Sequence, residues 1–143
     1  MGTRSLTLVY DERRQPILNL YRQYDGYPKG HGAELALFLE RGRLVNGLSG
    51  RDEPVFNGMG CLAAQLVTNF KDGPGGFYIH SVTETDCGQD YEYHVYLDEQ
   101  QQICVRVTDR GCNAFGLTLS DKNECLFDGP VSEFTDFCEG ELA

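Results

Sequence analysis

Two alternating runs open the chain, Ser5-Leu6-Thr7-Leu8-Val9-Tyr10 and Ile17-Leu18-Asn19-Leu20-Tyr21, with the polar stretch Asp11-Glu12-Arg13-Arg14-Gln15-Pro16 between them. Period-two alternation around a polar turn predicts a β-hairpin. The period then lengthens. Leu35, Phe38 and Leu39 share one helical face over residues 32–40, and Arg41-Gly42 ends it. Met59, Leu62, Ala63, Leu66, Val67 and Phe70 recur at the spacing of an amphipathic helical stripe, which Asp72-Gly73-Pro74-Gly75-Gly76 stops. Between these helices, residues 42–60 carry five glycines and Pro54, the composition of a long loop.

Downstream the pattern returns to strands, over residues 77–83, 91–97, 103–108 and 124–127. Ile103, Val105 and Val107 alternate with Cys104 and Arg106, giving that strand one buried face and one wet or partner-facing face. In Tyr91-Glu92-Tyr93-His94-Val95-Tyr96, residues Tyr91, Tyr93 and Val95 point one way and Glu92, His94 and Tyr96 the other. The first of these faces is either core or an aromatic binding surface; with an uncovered sheet edge it would also support homo-oligomerisation. His80 and His94 read as hydrogen-bonded sheet histidines. After Asp128-Gly129-Pro130 a short helix runs through Phe134 and Phe137, with Glu133 suitably placed in its first turn.

Strands, then helices, then a strand meander do not make the regular alternation of a parallel fold. The expected class is α+β: a largely antiparallel sheet, built from the N-terminal hairpin and a C-terminal meander, packed against two main helices and a short C-terminal helix. A length of 143 residues, 41 % of them hydrophobic, with no repeat or linker, points to one domain over residues 1–143.

Charge divides the chain unevenly. The formal net charge is -10, yet residues 1–50 sum to +2, residues 51–71 to zero and residues 72–143 to -12. Such an acidic half argues against direct nucleic-acid binding, which needs cations to neutralise phosphates. It fits either solubilising charge or an acidic surface that imitates DNA. No apolar run is long enough for a membrane span, and the first residues lack the apolar core of a signal peptide. The expectation is a cytoplasmic protein, without membrane attachment, whose six cysteines are reduced thiols. No cysteine pair has zinc-knuckle spacing, so no metal is expected.

The densest chemistry lies in Tyr21-Arg22-Gln23-Tyr24-Asp25-Gly26-Tyr27-Pro28-Lys29-Gly30-His31-Gly32, between the second strand and the first helix. Glycines and a proline hold Arg22, Tyr24, Asp25, Tyr27, Lys29 and His31 in a stiff loop. Asn57-Gly58-Met59-Gly60 similarly precedes the second helix, where glycines expose unpaired N–H groups that bind anions. Two glycine-led helix starts, one at His31-Gly32 and one at Asn57, Gly58 and Gly60, would together cradle an anionic small molecule. The nearby tyrosines would stack on a base. A plain strand-to-helix turn and a plain capping turn explain the same residues without a ligand.

With Thr3-Arg4-Ser5 ahead of the first strand, this motif resembles that of a group of short uncharacterised phage and prophage proteins. The likeness covers roughly the first forty residues and, more weakly, the region of Leu126-Phe127-Asp128-Gly129. Tyr24 stands where the relatives often carry a tryptophan. The resemblance implies a phage context, where accessory proteins block or hijack host functions, and brings no catalytic residues with it. The reading that follows is a binding protein that counters host defence by sequestering a phosphorylated nucleotide. A blocker of a host defence protein, acting through an acidic and aromatic surface, is the alternative. A small nucleotide-processing enzyme centred on His31 and Arg22 comes third, since no nucleophile elbow, zinc helix or Cys–His signature is present. No cofactor is implied.

Overall fold

The computed structural model describes residues 2–45, 55–111 and 122–140. It is α+β. The hairpin predicted from the alternation forms strands β1 (Ser5–Tyr10) and β2 (Pro16–Arg22). Asp11 builds its turn: its Oδ1 accepts the backbone N–H groups of Arg13 and Gln15. The Tyr-rich loop then winds through a single π-helical turn, Pro28–Gly32, into α1 (Ala33–Glu40). Within the predicted long loop, β3 (Arg43–Val45) and β4 (Val55–Asn57) pair in parallel; residues 46–54 fall outside the described residues. Next come α2 (Gly58–Phe70), β5 (Phe77–His80), β6 (Tyr91–Leu97), β7 (Ile103–Asp109), β8 (Glu124–Pro130) and α3 (Val131–Cys138).

Six strands form one sheet in the order β5-β2-β1-β6-β7-β8. Every pairing in it is antiparallel except β1 with β6, where Ser5 lies opposite Tyr91 and Val9 opposite Val95. That parallel seam joins the N-terminal hairpin to the C-terminal meander. β5 is shorter than the 77–83 pattern predicts, because the chain turns at Ser81 and the Asn19 side-chain amide grips the carbonyls of Ser81 and Glu84.

All three helices lie on one face of the sheet. There Val9, Leu18, Leu20, Tyr93, Val95, Leu97, Val105 and Val107 meet Leu35, Phe38, Leu39, Met59, Leu62, Leu66, Phe134 and Phe137 in a single core. The face of Tyr91, Tyr93 and Val95 is therefore core rather than a binding surface. Complete burial of a leucine such as Leu62 or Leu66 contributes about 1.5–3 kcal/mol.

Among the described residues the opposite face carries no helix. Leu6, Leu8 and Tyr21 form a small second cluster against Cys87. Beyond it the face is polar and open, over the C-terminal ends of β1 and β6. Among the described residues no helix is long and apolar enough to cross a membrane.

Candidate functional site

The Tyr-rich motif is a structural lock. His31 is fully buried. Its Nε2 lies 2.6 Å from the Thr7 hydroxyl and its Nδ1 3.1 Å from Arg22 Nη1. Its ring sits between Phe70 and Tyr93, with centroids 5.0 and 4.9 Å away. Burial, followed by the positive charge of Arg22, pushes the imidazole down to about 3. A neutral ring that accepts from a cation and holds a hydroxyl of β1 is a core spacer, out of a ligand's reach.

Arg22 is equally committed. Its guanidinium donates to Glu34 Oε2 at 2.7 Å and to the Tyr24 carbonyl, and lies over the Phe77 ring at 5.0 Å. The glycines serve close packing. A Cβ on Gly26 would meet Arg4 C and Ser5 Cβ at 2.8 Å, and one on Gly32 would stand 3.0 Å from Cys138 Sγ. The buried Tyr93 hydroxyl donates to the Gly26 carbonyl at 2.7 Å. Asp25, at φ +62°, turns its carbonyl to accept the His31 N–H at 2.8 Å, while the Gly30 N–H is spent on the Tyr27 carbonyl. Tyr24, Tyr27 and Lys29 remain on the surface.

The second glycine-led start is closed by the protein itself. Glu12 Oε2, from the hairpin turn, accepts the Met59 N–H at 2.7 Å, so a carboxylate already occupies the position an anionic ligand would take. Gly58 is needed there for its φ of +85°, whereas Gly60 faces open space. The two starts do not share a site. His31 packs against Phe70 at the C-terminal end of α2, whereas Gly58 opens its N-terminal end. The 13 residues of α2 between them span roughly 18 Å.

The structure instead assembles polar chemistry on the helix-free face, in a concavity of about 690 Å³. Registers explain the grouping. His94 of β6 lies between Leu8 of β1 and Arg106 of β7, and Arg106 in turn faces Asp128 of β8. Tyr10, at the end of β1, lays its ring on His94 with centroids 5.8 Å apart and planes 28° from parallel. Its hydroxyl is 2.8 Å from His94 Nδ1, and His94 Nε2 is 3.2 Å from Glu92 Oε1. The other Glu92 oxygen accepts from Gln89 Nε2 at 2.8 Å and lies 3.9 Å from Arg110 Nε. Burial pushes the Glu92 carboxyl up, but the hydrogen bonds from His94 and Gln89 and the charges of His94 and Arg110 outweigh it, and the group is held below its ordinary value.

On the far side of the concavity the Tyr96 hydroxyl donates to Asp128 Oδ1, and Arg14 lies over the Tyr96 ring at 5.1 Å while donating to the Leu97 carbonyl. Burial, then the bond to Asp128, raises the Tyr96 phenol. The Cys104 thiol beneath is pushed up to about 11 by burial and by Asp98. Arg106 differs from its neighbours. It is exposed, and its side chain makes no ion pair or hydrogen bond among the described residues. Its charge is felt at Tyr10, whose phenol burial and Glu92 raise and Arg106 lowers.

Nothing local in the sequence marks Tyr10 or Arg14 as part of a site. The outward sets Glu92/His94/Tyr96 and Cys104/Arg106 were the legible signal, and the strand pairing puts them on one surface. No group of three or more His, Cys, Asp or Glu among the described residues is arranged to hold a metal ion. No known protein family, curated protein or solved structure matches this chain.

Proposed function

We propose that the protein is a binding module whose ligand is a small phosphate-bearing molecule of nucleotide size, seated in the concavity of the helix-free sheet face. The observation that carries this reading is Arg106, an exposed guanidinium whose side chain pairs with no anion among the described residues and which lines the same concavity as Tyr10, His94, Tyr96 and Arg14. An arginine fork suits a phosphate geometrically and electrostatically, and the tyrosine rings on either side offer surfaces on which a base stacks. The volume falls within the ~300–1,000 Å³ range of small-ligand pockets.

In the phage context that the resemblance of the N-terminal motif implies, such binding would serve counter-defence, as removal of a phosphorylated host signal. The nucleotide of this proposal binds at Arg106 rather than at Arg22, His31 and the glycine-led helix starts, whose polar groups are already satisfied within the fold.

A panel of linear and cyclic nucleotides screened by thermal shift tests the proposal. A ligand present at about 100 times its Kd and bound only to the folded state adds about 2.7 kcal/mol. The shift should vanish in Arg106→Ala and persist in Lys29→Ala. Absence of any shift, or a shift lost in Lys29→Ala and kept in Arg106→Ala, would overturn it.

A further inference from the structure

Glu92 fixes the proton positions in the Tyr10–His94 pair. An ionised carboxylate only accepts, so the 3.2 Å contact to His94 Nε2 requires that nitrogen to carry hydrogen. When the ring is neutral, Nδ1 offers a lone pair, and the Tyr10 hydroxyl 2.8 Å away donates to it. Both nitrogens of His94 are consumed within the protein, so the reactive atom of the pair is the oxygen of Tyr10, a half-buried residue that lines the concavity. Nucleophile, base and orienting carboxylate in hydrogen-bonded series is the arrangement by which proteins activate a hydroxyl. Arg106, directly across from His94, stands where an anionic substrate would bring its charge.

We propose that Tyr10 is a nucleophile toward phosphate esters held at Arg106. The inference rests on the reading of this concavity as a phosphate site. In the first step the Tyr10 oxygen forms a bond to phosphorus as the bond from phosphorus to the leaving oxygen breaks. The phenolic proton passes to His94 Nδ1, and Glu92 balances the imidazolium. The leaving oxygen departs in line on the opposite side and takes its proton from solvent, while His94 keeps the phenolic one. In the second step water attacks phosphorus and releases its proton to solvent, the bond to the Tyr10 oxygen breaks, and His94 returns the proton to the phenolate. One ester bond and one water are consumed and the protein is restored. Arg106 offsets the charge that gathers on the non-bridging oxygens. Because the Tyr10 phenol is raised by burial and by Glu92, it stays protonated until His94 takes the proton.

Bis(para-nitrophenyl) phosphate tests this with the full chain. Wild-type protein should release para-nitrophenolate, and rapid acid quenching followed by peptide mass mapping should place a phosphodiester adduct on Tyr10. Tyr10→Phe, which keeps the ring stacked on His94, should abolish the adduct and cut release at least about 100-fold, with an unchanged thermal shift by inorganic phosphate. Equal release by wild type and Tyr10→Phe overturns the proposal. So does a phosphate shift, lost in Arg106→Gln, without any release, although the binding reading then stands. Neither shift nor release overturns both.

Discussion

The carboxylate of Glu12, in the turn of the β1–β2 hairpin, accepts the backbone N–H of Met59 at 2.7 Å and so caps α2 from a distance of 47 residues in sequence. The α2 start has no side-chain cap from Asn57, and an acceptor there satisfies an orphan donor and complements the helix dipole. Glu12→Ala should lower stability by about 0.5–2 kcal/mol in urea unfolding. It should also make the protein's melting temperature newly sensitive to sulfate or phosphate, because the helix start is then open to an external anion. Insensitivity in both proteins would mean that the carboxylate is not what keeps anions away.

His31 sets a second expectation, in pH. Its folded value is near 3, against about 6.5 when exposed. Above pH 6.5 the ring is neutral in both states and contributes nothing to the pH dependence. Between 6.5 and 3 the unfolded chain takes up a proton that the folded one refuses, so stability falls as pH falls, by up to about 1.4 kcal/mol per unit from this group. Urea unfolding at intervals from pH 7.5 to 4.5 should show that slope in wild type and a flatter one in His31→Gln, which is itself less stable at pH 7.5. Parallel slopes would remove His31 from the account.

The same residue illustrates what sequence can and cannot reveal. Tyr21 to Gly32 is conspicuous because three glycines, a proline, a cation and a histidine stand together, and close packing demands those residue types as much as ligand binding does. Gly26 touches the backbone ahead of β1, and His31 bonds Thr7, contacts invisible from the motif alone. By contrast, the α2 stripe was legible: Met59, Leu62, Ala63, Leu66 and Phe70 are all buried. So was the wet face of β7 at Arg106. What joins Tyr10 to His94 is the parallel β1–β6 seam, a pairing across 84 residues with no local signal.

The glycines of the two regions should respond to substitution with opposite signs. Gly26→Ala puts a Cβ 2.8 Å from Arg4 C and 2.9 Å from Ser5 N, both of them backbone atoms that cannot swing aside. Overpacking of this kind costs about 1–3 kcal/mol. Gly60→Ala meets nothing within 4 Å, lies in the first turn of α2, and should stabilise by about 0.4–1 kcal/mol through the unfolded chain's lost freedom. Thermal unfolding of the two variants decides the matter, and a destabilised Gly60→Ala would revive a role for that residue beyond helix geometry.

Glu92 supplies a pH limb separable from that of His31. Burial opposes its ionisation, yet hydrogen bonds from His94 and Gln89, with the charges of His94 and Arg110, hold the folded carboxyl below its ordinary value. Its contribution is thus fully present above the unfolded value of about 4.3 and is lost as pH falls through the lower folded value. The His31 limb begins two units higher. In a His31→Gln background, where that upper limb is absent, stability should hold nearly level down to about pH 5 and then drop. Adding Glu92→Gln should soften the drop without restoring the upper limb, because an amide gains no proton. The substitution also leaves His94 Nε2 without an anionic acceptor, so the double variant should be less stable at pH 7. If its acid limb is as steep as that of His31→Gln alone, the carboxylate that orients His94 is not ionised in the folded protein, and the proton assignment between Tyr10 and His94 falls with it.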